Sequence, residues 1–372
     1  MTADHGPVRT KDYRRQYEAL WPELAPALER AFLDDAPILG RATNEFEAAF
    51  AAHVGSRHAI GTNSGTDALI LSLRALGIGS GDEVITAANT FLATVAAIAA
   101  VGARPVLVEP DEASMSMDPE RFAAAITPRT RAVIPVHLHG LPCPMAGICD
   151  HATRHGIEIV EDAAQAHGAR AGALGRVGSI GRLGAFSFHP SKNLGAFGDA
   201  GAITTSDDAL AERLRVLRNL GKVGKYEARA LGVNSKLDTL QAVVLQLKLS
   251  RLDGWNARRR TLAARYDAAL GGIADLRLPS DRDGAHVYHL YVVRTRRRDE
   301  LATHLRERGI RTGMHYPIPP HLQPLDRDLG YRPGELPITE RIAAASLSLP
   351  LSHEHTDAEI ERAASAVLEF FA

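Results

Sequence analysis

GAFSFHPSKNLGAFGDAGAITT, residues 184–205, is the stretch that decides the fold of this chain. Its start, AFSF, predicts a buried strand, and its β-branched end, AITT, predicts a second strand. A proline, several glycines and Lys192 stand between them. Because glycine tolerates left-handed backbone and close approach, we expect a tight loop that holds one lysine between two buried strands.

Lys192 is therefore a candidate for Schiff-base chemistry. Apolar surroundings lower the pKa of a lysine, and its neutral amine is the form that attacks a carbonyl group. A solvated loop lysine explains the same residues equally simply, so this interpretation depends on the rest of the chain.

The part of the chain before this loop alternates between strands and helices. EVIT, PVLV, AVIPVHL and IEIV predict four strands within residues 82–160, with a helix after each of the first three. This order is typical of βαβ units, so we predict an α/β fold with a mostly parallel sheet. Ligands of such sheets bind beyond the carboxyl ends of the strands. The residues that we expect at those ends are Asn89, Thr90, Phe91, His137, His139, Asp162 and Gln165.

A turn of small residues, NSGT at residues 63–66, predicts a phosphate site. It follows a short strand and precedes an apolar helix that begins near Asp67. Backbone N–H groups at a helix start, with the hydroxyls of Ser64 and Thr66 beside them, favour an anion. A plain helix N-cap accounts for the turn equally well.

Asp162 supplies an acid at the same edge of the sheet. A carboxylate at the end of a buried strand needs a cationic or hydrogen-bonding partner. Pyridoxal phosphate requires a Schiff-base lysine, an acidic partner for its ring nitrogen and a phosphate site. Lys192, Asp162 and the turn at residues 63–66 are these three features in one α/β domain. Phe91 could cover one face of the ring, or it could be an aromatic residue of the core.

The histidines His137 and His139 do not predict a metal site. They stand two residues apart at a strand end, so we expect both on one face, but zinc requires further ligands. Cys143 and Cys149 lack the spacing of a metal motif, and we interpret both as ordinary thiols in a reducing compartment.

The C-terminal third predicts a second, smaller domain. Ser235 and Asp238 have the spacing of a capping box, so we expect a long helix from about Lys236. We predict a large cofactor-binding domain at residues 1–250 and a small α+β domain at residues 251–372.

A proline-rich loop, HYPIPPHLQP at residues 315–324, could face the cofactor or only be stiffened by its prolines. Its candidate substrate contacts are His315, Tyr316 and His321.

Composition and charge exclude several classes of protein. The chain has 372 residues, 45% of them apolar, and a formal net charge of −1. Neither nucleic acid nor an anionic membrane surface is therefore an expected partner. The longest apolar run, residues 91–103, falls short of a membrane span, and the polar N-terminus lacks a signal-peptide core. We expect a cytoplasmic protein.

Six motifs carry a resemblance to a known family. They are FEAAFAAHVGSRHAIGTNSGTDAL, ANTFLAT, EDAAQAHGA, SFHPSKNLGAFGDAGA, GVNSKLDTLQA and MHYPIPPHLQP. With these motifs the chain resembles the DegT/DnrJ/EryC1/StrS sugar aminotransferases, pyridoxal phosphate enzymes of fold type I, over nearly its whole length. The resemblance implies a mixed, mainly parallel seven-stranded sheet and a small C-terminal domain. It also implies transamination, since the branch that performs dehydration has histidine where this chain keeps Lys192.

The resemblance implies a role for each residue of the site. Lys192 binds the cofactor covalently, Asp162 contacts its ring nitrogen, and Gln165 lies by its ring hydroxyl. Phe91 stacks on the ring. Asn234 reaches the phosphate from the partner subunit, so the site is shared across a homodimer. The residues that hold the phosphate are Ser64, Gly65, Thr66, Asp67 and Ser187.

The implied reaction moves an amino group from an amino acid, L-glutamate by resemblance, to a nucleotide-linked keto-sugar through the pyridoxamine form of the cofactor. His189 could assist proton transfer, contact substrate or only pack. KNLGAFGD and VNSKLDTLQA resemble relatives that aminate C3 of a dTDP-linked 6-deoxyhexose. The alternatives are a 4-keto-sugar or cyclitol-ketone aminotransferase, and a regulator that binds pyridoxal phosphate without turnover.

Overall fold

The central sheet has seven strands. The computed structural model describes residues 6–281, 283–325 and 329–372. The strands are β1 (His58–Thr62), β2 (Glu83–Ala87), β3 (Arg104–Val108), β4 (Thr130–Ile134), β5 (Glu158–Asp162), β6 (Leu183–Ser187) and β7 (Gly201–Thr205). They lie in the order β1-β7-β6-β5-β4-β2-β3. β7 runs antiparallel to β1 and β6, whereas the other neighbours are parallel, so the mixed, mainly parallel sheet is confirmed.

Helices pack on both sides of this sheet and form much of the C-terminal part. They are α1 (Tyr13–Asp34), α2 (Arg41–Val54), α3 (Gly65–Ala75), α4 (Leu92–Ala100), α5 (Pro119–Ala124), α6 (Met145–His155), α7 (Asp208–Leu217), α8 (Thr239–Leu249), α9 (Leu252–Leu270), α10 (Arg298–Glu307), α11 (Pro337–Ala345) and α12 (Asp357–Phe371). Short 3-10 turns occur at Leu138–Gly140, Gly172–Leu174 and Pro320–Leu322. Among the described residues, no helix combines the length and apolar character that a membrane crossing requires.

Helix α3 fixes one side of the site to the sheet. Its residues Leu69, Leu71 and Leu73 are buried in one cluster with Val160 of β5 and Ile203 of β7. Burial of each leucine stabilises this packing by roughly 2 kcal/mol. The N-terminus of α3 is therefore held at the edge of the sheet where β5 and β6 end.

The C-terminal part has a small sheet and its own core. β8 (Tyr291–Arg294) and β9 (Ser346–Leu349) pair antiparallel. Residues of α9, α10 and α12 pack against them, among them Tyr266, Leu301 and Val367. Val8 belongs to the same cluster, and its N–H donates to the carbonyl of Gly309 at 3.0 Å. The N-terminal segment thus lies on the C-terminal core, and the division at residue 250 stays a prediction.

Two details of the predicted elements are wrong. α8 begins at Thr239 rather than near Lys236, and its N-cap Asp238 makes no side-chain cap bond. The Ser235 hydroxyl instead accepts the N–H of Asn63 at 3.2 Å, because this turn lies against the start of α3.

β4 ends earlier than AVIPVHL predicts. Pro135 has no N–H to donate and interrupts the strand after Ile134. Pairing with β5 nevertheless continues, since Asp162 N–H donates to the Pro135 carbonyl at 2.9 Å and His137 N–H donates to the Asp162 carbonyl at 3.0 Å.

A buried carboxylate, Glu161, holds the elements around the end of β5. It accepts the backbone N–H groups of Gly178 at 2.8 Å and of Ile180 and Gly181 at 2.7 Å each. The Nε2 atom of His137 lies 3.0 Å from the same carboxylate. The three backbone donors tie β5 to the segment that leads into β6, and His137 ties it to the chain after β4.

We expect Glu161→Gln to lower the free energy of unfolding by about 3 kcal/mol, because the amide cannot accept from all four donors and leaves buried N–H groups unpaired. Denaturant unfolding of the variant and of Glu18→Gln, an exposed control in a surface pair with Arg14, measures the difference. Equal stability of the two variants would contradict this role of Glu161.

Candidate active site

Lys192 stands in the loop between β6 and β7, as the flanking strands predict. The loop is held by its own backbone: Phe188 N–H donates to the Ala200 carbonyl and Ala196 N–H to the Phe188 carbonyl, each at 2.7 Å. Lys192 N–H donates to the His189 carbonyl at 2.8 Å. These bonds fix the direction from which the lysine leaves the loop.

The carboxylate of Asp162 and the amine of Lys192 are buried at the same edge of the sheet. Burial lowers the pKa of Lys192 to about 8, and the negative charge of Asp162 partly opposes this shift. Burial also raises the pKa of Asp162, whereas a hydrogen bond from Thr94 and the charge of Lys192 lower it. For both groups, burial opposes the charged form more strongly than the attraction between them favours it, so a ligand that contacts both would stabilise the charges.

Two donors orient the Asp162 carboxylate. The Thr94 hydroxyl donates to Oδ2 at 2.9 Å, and the Ala164 N–H donates to Oδ1 at 3.2 Å. The hydroxyl of Thr90 lies 2.8 Å from that of Thr94. We did not single out Thr94 in the sequence, although its place in the first turn of α4, after Phe91 at a strand end, is a usable signal.

The start of α3 forms a compact cradle against the ends of β6 and β7. The Ser64 hydroxyl accepts the N–H of Asp67 at 3.1 Å, so Ser64 is the helix N-cap. A Cβ atom added at Gly65 would lie 2.6 Å from the Ser187 Cβ atom, closer than side chains approach. The N–H groups of Gly65 and Thr66 have no acceptor within the helix, and they favour an anion there.

Phe91 and Tyr316 form an aromatic pair next to Gln165. The Phe91 ring is 48% exposed, and its centroid lies 5.1 Å from that of Tyr316. Gln165 Nε2 donates to the Tyr316 hydroxyl at 3.0 Å, and Gln165 Oε1 accepts the N–H of His139 at 2.7 Å. The structure thus brings Phe91, Gln165 and Tyr316 together, as the sequence suggested.

Of three candidate histidines, two lie near Lys192. His189 is exposed, its Nδ1 lies 2.9 Å from the Ser191 hydroxyl, and burial and Lys192 lower its pKa. Burial and Lys192 also lower the pKa of His315 to about 4. His321 is instead buried, with Nε2 3.2 Å from a carboxylate oxygen of Glu340.

The expectation that His137 and His139 share one face is wrong. His137 turns to Glu161, whereas His139 has a left-handed backbone with φ of 59° in the 3-10 turn after β4. Within the described residues there is no group of three or more potential metal ligands.

Asn234 is exposed on the surface beside the start of α3. Its backbone bridges to Asn219, and the next residue, Ser235, bonds to Asn63. Its proposed reach into a partner subunit lies beyond a single chain and stays a prediction.

The residues present fit pyridoxal phosphate. Lys192 offers an amine for a carbonyl, Asp162 a buried carboxylate for a cationic ring nitrogen, and the α3 start a cradle for phosphate. Asp162 and Lys192 each shift the pKa of the other, but among the described residues they form no direct ion pair. This arrangement suits a ligand that contacts both side chains. When bound, pyridoxal phosphate supplies a carbonyl group and a ring that accepts electrons.

Comparison with known proteins gives one consistent result. The model of the DegT/DnrJ/EryC1/StrS aminotransferase family matches residues 22–368. dTDP-3-amino-3,4,6-trideoxy-alpha-D-glucose transaminase of Streptomyces venezuelae is 48% identical over 360 residues, which are 96% of this chain and 95% of that protein. The pleiotropic regulatory protein of Geobacillus stearothermophilus is 44% identical over 368 residues, 97% of each chain. The crystal structure of S. venezuelae DesV in complex with a ketimine intermediate has a TM-score of 0.95 and 47% identity, and the match covers 98% of both chains.

We expect Gly65→Ala to weaken the binding of pyridoxal phosphate roughly 10- to 100-fold, because the added methyl group pushes the α3 start away from Ser187. Titration of the cofactor-free protein, followed by absorbance, measures the affinity. Gly254→Ala in α9 is a matched control, since a Cβ atom there meets nothing within 4 Å. Equal affinity of the two variants would argue against the cradle.

Proposed function

Since this chain belongs to the DegT/DnrJ/EryC1/StrS aminotransferase family, we propose that it transfers an amino group from L-glutamate to a nucleotide-linked keto-sugar. The chain is a pyridoxal phosphate dependent aminotransferase. The observation that carries the proposal is the buried pair of Lys192 and Asp162 beside the anion cradle of α3. Such a pair serves a cofactor that needs an amine, a carboxylate and a phosphate site.

Each residue has a proposed task. Asp162 keeps the ring nitrogen protonated, which stabilises negative charge on carbon, and Thr94 keeps the Asp162 carboxylate oriented. Lys192 holds the cofactor and, once displaced by the donor amine, carries a proton between the donor Cα and C4′ of the cofactor. Gln165 positions the ring hydroxyl, and Phe91 covers one face of the ring.

Further tasks belong to residues around this centre. The first turn of α3, residues 64–67, and Ser187 bind the phosphate. Burial and Lys192 lower the pKa of both His189 and His315, to about 4 for His315, which is therefore neutral near pH 7; both histidines are candidates for substrate contact. His321 lies against Glu340, and this position does not support a contact between His321 and the substrate.

We propose C3 as the carbon that receives nitrogen. The relative that is 48% identical is named for a 3-amino sugar with a dTDP group. The loop after Lys192 borders the reacting amine, so its shape decides which ketone carbon comes within reach. Amination of a 4-keto-sugar or of a cyclitol ketone is the alternative within the same reaction class.

We also propose a homodimer in which the two chains share their sites. Asn234 is exposed and could reach a partner's phosphate, while Tyr226 and Leu231 in the preceding segment are 88% and 95% exposed. Apolar side chains this exposed favour burial against another chain. The cytoplasmic location also stays a prediction, which cell fractionation tests.

We expect the enzyme, given L-glutamate and a panel of keto-sugar nucleotides, to convert a dTDP-3-keto-6-deoxyhexose into its 3-amino product. Loss of the absorbance of lysine-bound cofactor with L-glutamate alone reports the first half of the reaction. Mass spectrometry then identifies the product, and NMR locates its nitrogen.

Each outcome of this experiment has a separate meaning. Exclusive formation of a 4-amino product would contradict the assignment of C3, but it would not contradict the aminotransferase activity. A related protein bears the name of a pleiotropic regulator, so no spectral change with any amino acid would instead favour the non-catalytic alternative.

We expect a mixture of Lys192→Ala and Asn234→Asp proteins to regain roughly a quarter of wild-type activity, because half of the dimers are hybrids with one intact site of two. Each parent is expected to be inactive, since one lacks the amine and the other sets a carboxylate against phosphate. Absence of recovery after proven subunit exchange would show that the site lies within one chain.

A further inference from the structure

The chain keeps few lysines, and half of them lie together. Six of its 43 basic residues are lysine, and the rest are arginine. Lys11 lies within electrostatic range of both Lys192 and Lys248. Because arginine dominates elsewhere, three lysines in one buried region indicate a requirement for a compact ammonium group.

The segment that carries Lys11 is fixed on both sides. Val8 pairs with residues 309–311 of the C-terminal part, and the Arg9 carbonyl lies 2.8 Å from Nε2 of His355. Asp12 caps α1 by accepting the N–H of Arg15 at 3.1 Å. Lys11 therefore leaves a well-anchored backbone at the start of α1.

The start of α1 packs directly on the loop that carries Lys192. Lys248 joins the two, since its ammonium donates to the Gln16 side chain at 2.9 Å and to the Gly195 carbonyl at 2.7 Å. The rings of Tyr17 and Phe197 meet at 4.5 Å between centroids. These contacts hold the beginning of α1, which follows Lys11 in the chain, against the loop of Lys192, and Lys11 lies within electrostatic range of that lysine.

Lys11 differs from its charged neighbours in having no hydrogen-bonded or ion-pair partner within residues 6–281, 283–325 and 329–372. Lys248 is bonded as described, and Arg259 donates to the carbonyls of Tyr288 at 3.1 Å and Leu351 at 2.9 Å. Among the residues that the structure describes, the Lys11 ammonium has no hydrogen bond or ion pair.

The carboxylate in range of Lys11, Glu354, forms no hydrogen bond or ion pair with it among the described residues. Its Oε1 atom accepts from Gln16 at 2.6 Å and lies 3.2 Å from Nε2 of His353, whereas its Oε2 atom is buried without a hydrogen-bond partner. Burial and then the charge of Arg259 hold the pKa of Lys11 well below its usual range. An additional anion would relieve this excess of positive charge.

The groups that lie near both Lys11 and Lys192 indicate where the additional anion binds. His189, His289 and His315 each lie within electrostatic range of both lysines. The donor amino acid reacts at its Cα beside Lys192, and a carboxylate is bonded directly to that carbon. A carboxylate bound near Lys192 therefore falls within the surroundings of Lys11.

We propose that Lys11 is a substrate-binding residue whose ammonium receives a carboxylate of the amino-acid donor. The inference rests on the proposed aminotransferase function and deepens it. A phosphate of the nucleotide-linked substrate offers a related oxyanion, but it is separated from the reacting carbon by a sugar ring. The two sources act in different halves of the reaction, so they are experimentally separable.

The test compares Lys11→Met with Arg14→Met, which removes an equal charge from an exposed position three residues further along the chain. Calorimetry measures the binding of glutarate, a dicarboxylate without an amine, and of dTDP to the cofactor-loaded enzyme. Single-turnover kinetics with L-glutamate and with the keto-sugar nucleotide follow the two halves of the reaction. Thermal unfolding reports the fold.

In Lys11→Met we expect glutarate and L-glutamate to bind roughly 10- to 100-fold more weakly, the usual effect of losing a charge-assisted hydrogen bond. Binding of dTDP and the saturating rate with the keto-sugar stay as in Arg14→Met. Tm does not fall, because Lys11 has no hydrogen bond or ion pair to lose in the part of the chain that the structure describes, and Lys11→Arg restores part of the affinity.

Three results would overturn the proposal: unchanged glutarate affinity, weaker dTDP binding with glutarate unaffected, or a lower Tm with both ligands weakened alike. Failure of the proposed function itself has a different signature. In that case wild-type enzyme is not converted by any amino acid, whereas the glutarate titration still reports whether Lys11 binds a carboxylate.

Discussion

Two opposite charges, Lys192 and Asp162, buried at the carboxyl edge of one sheet, are the constraint on which the rest of this structure depends. Removal of either charge from water costs several kcal/mol, and their mutual attraction offsets only part of it. Burial lowers the pKa of Lys192 and raises that of Asp162, and the two groups form no direct ion pair among the described residues. A cofactor with a carbonyl group and a protonated ring nitrogen resolves both deficits.

The fold supplies this arrangement through the reversal of one strand. β7 runs antiparallel to β6, so the chain reverses its direction in the loop between them. Lys192 stands in that loop, next to the end of β5. Glu161 fixes the same region, because three of its four donors lie in the segment before β6 and the fourth, His137, follows β4. The close contact of Gly65 with Ser187 adds the anion cradle.

Most of the sheet and the central residues of the site could be predicted from the sequence, because alternation of apolar strands and helices is a local pattern. The loop of Lys192 and the end of β5 at Asp162 are such cases. The start of α8 could not be predicted, since the Ser235 hydroxyl is engaged by Asn63, 172 residues away. Lys11 could not be predicted as a site residue for the same reason. Its proposed role depends on contacts between α1 and the loop of Lys192, which are far apart in the sequence.

The most direct test of the account is the protonation state of the cofactor ring nitrogen, read by NMR of enzyme loaded with 15N-labelled pyridoxal phosphate. We expect a protonated nitrogen in the wild type at pH 7.5, since the Asp162 carboxylate stabilises the cation, and an unprotonated one in Asp162→Asn, where that charge is absent. The same protonated nitrogen in both proteins would contradict the central role given to the buried carboxylate.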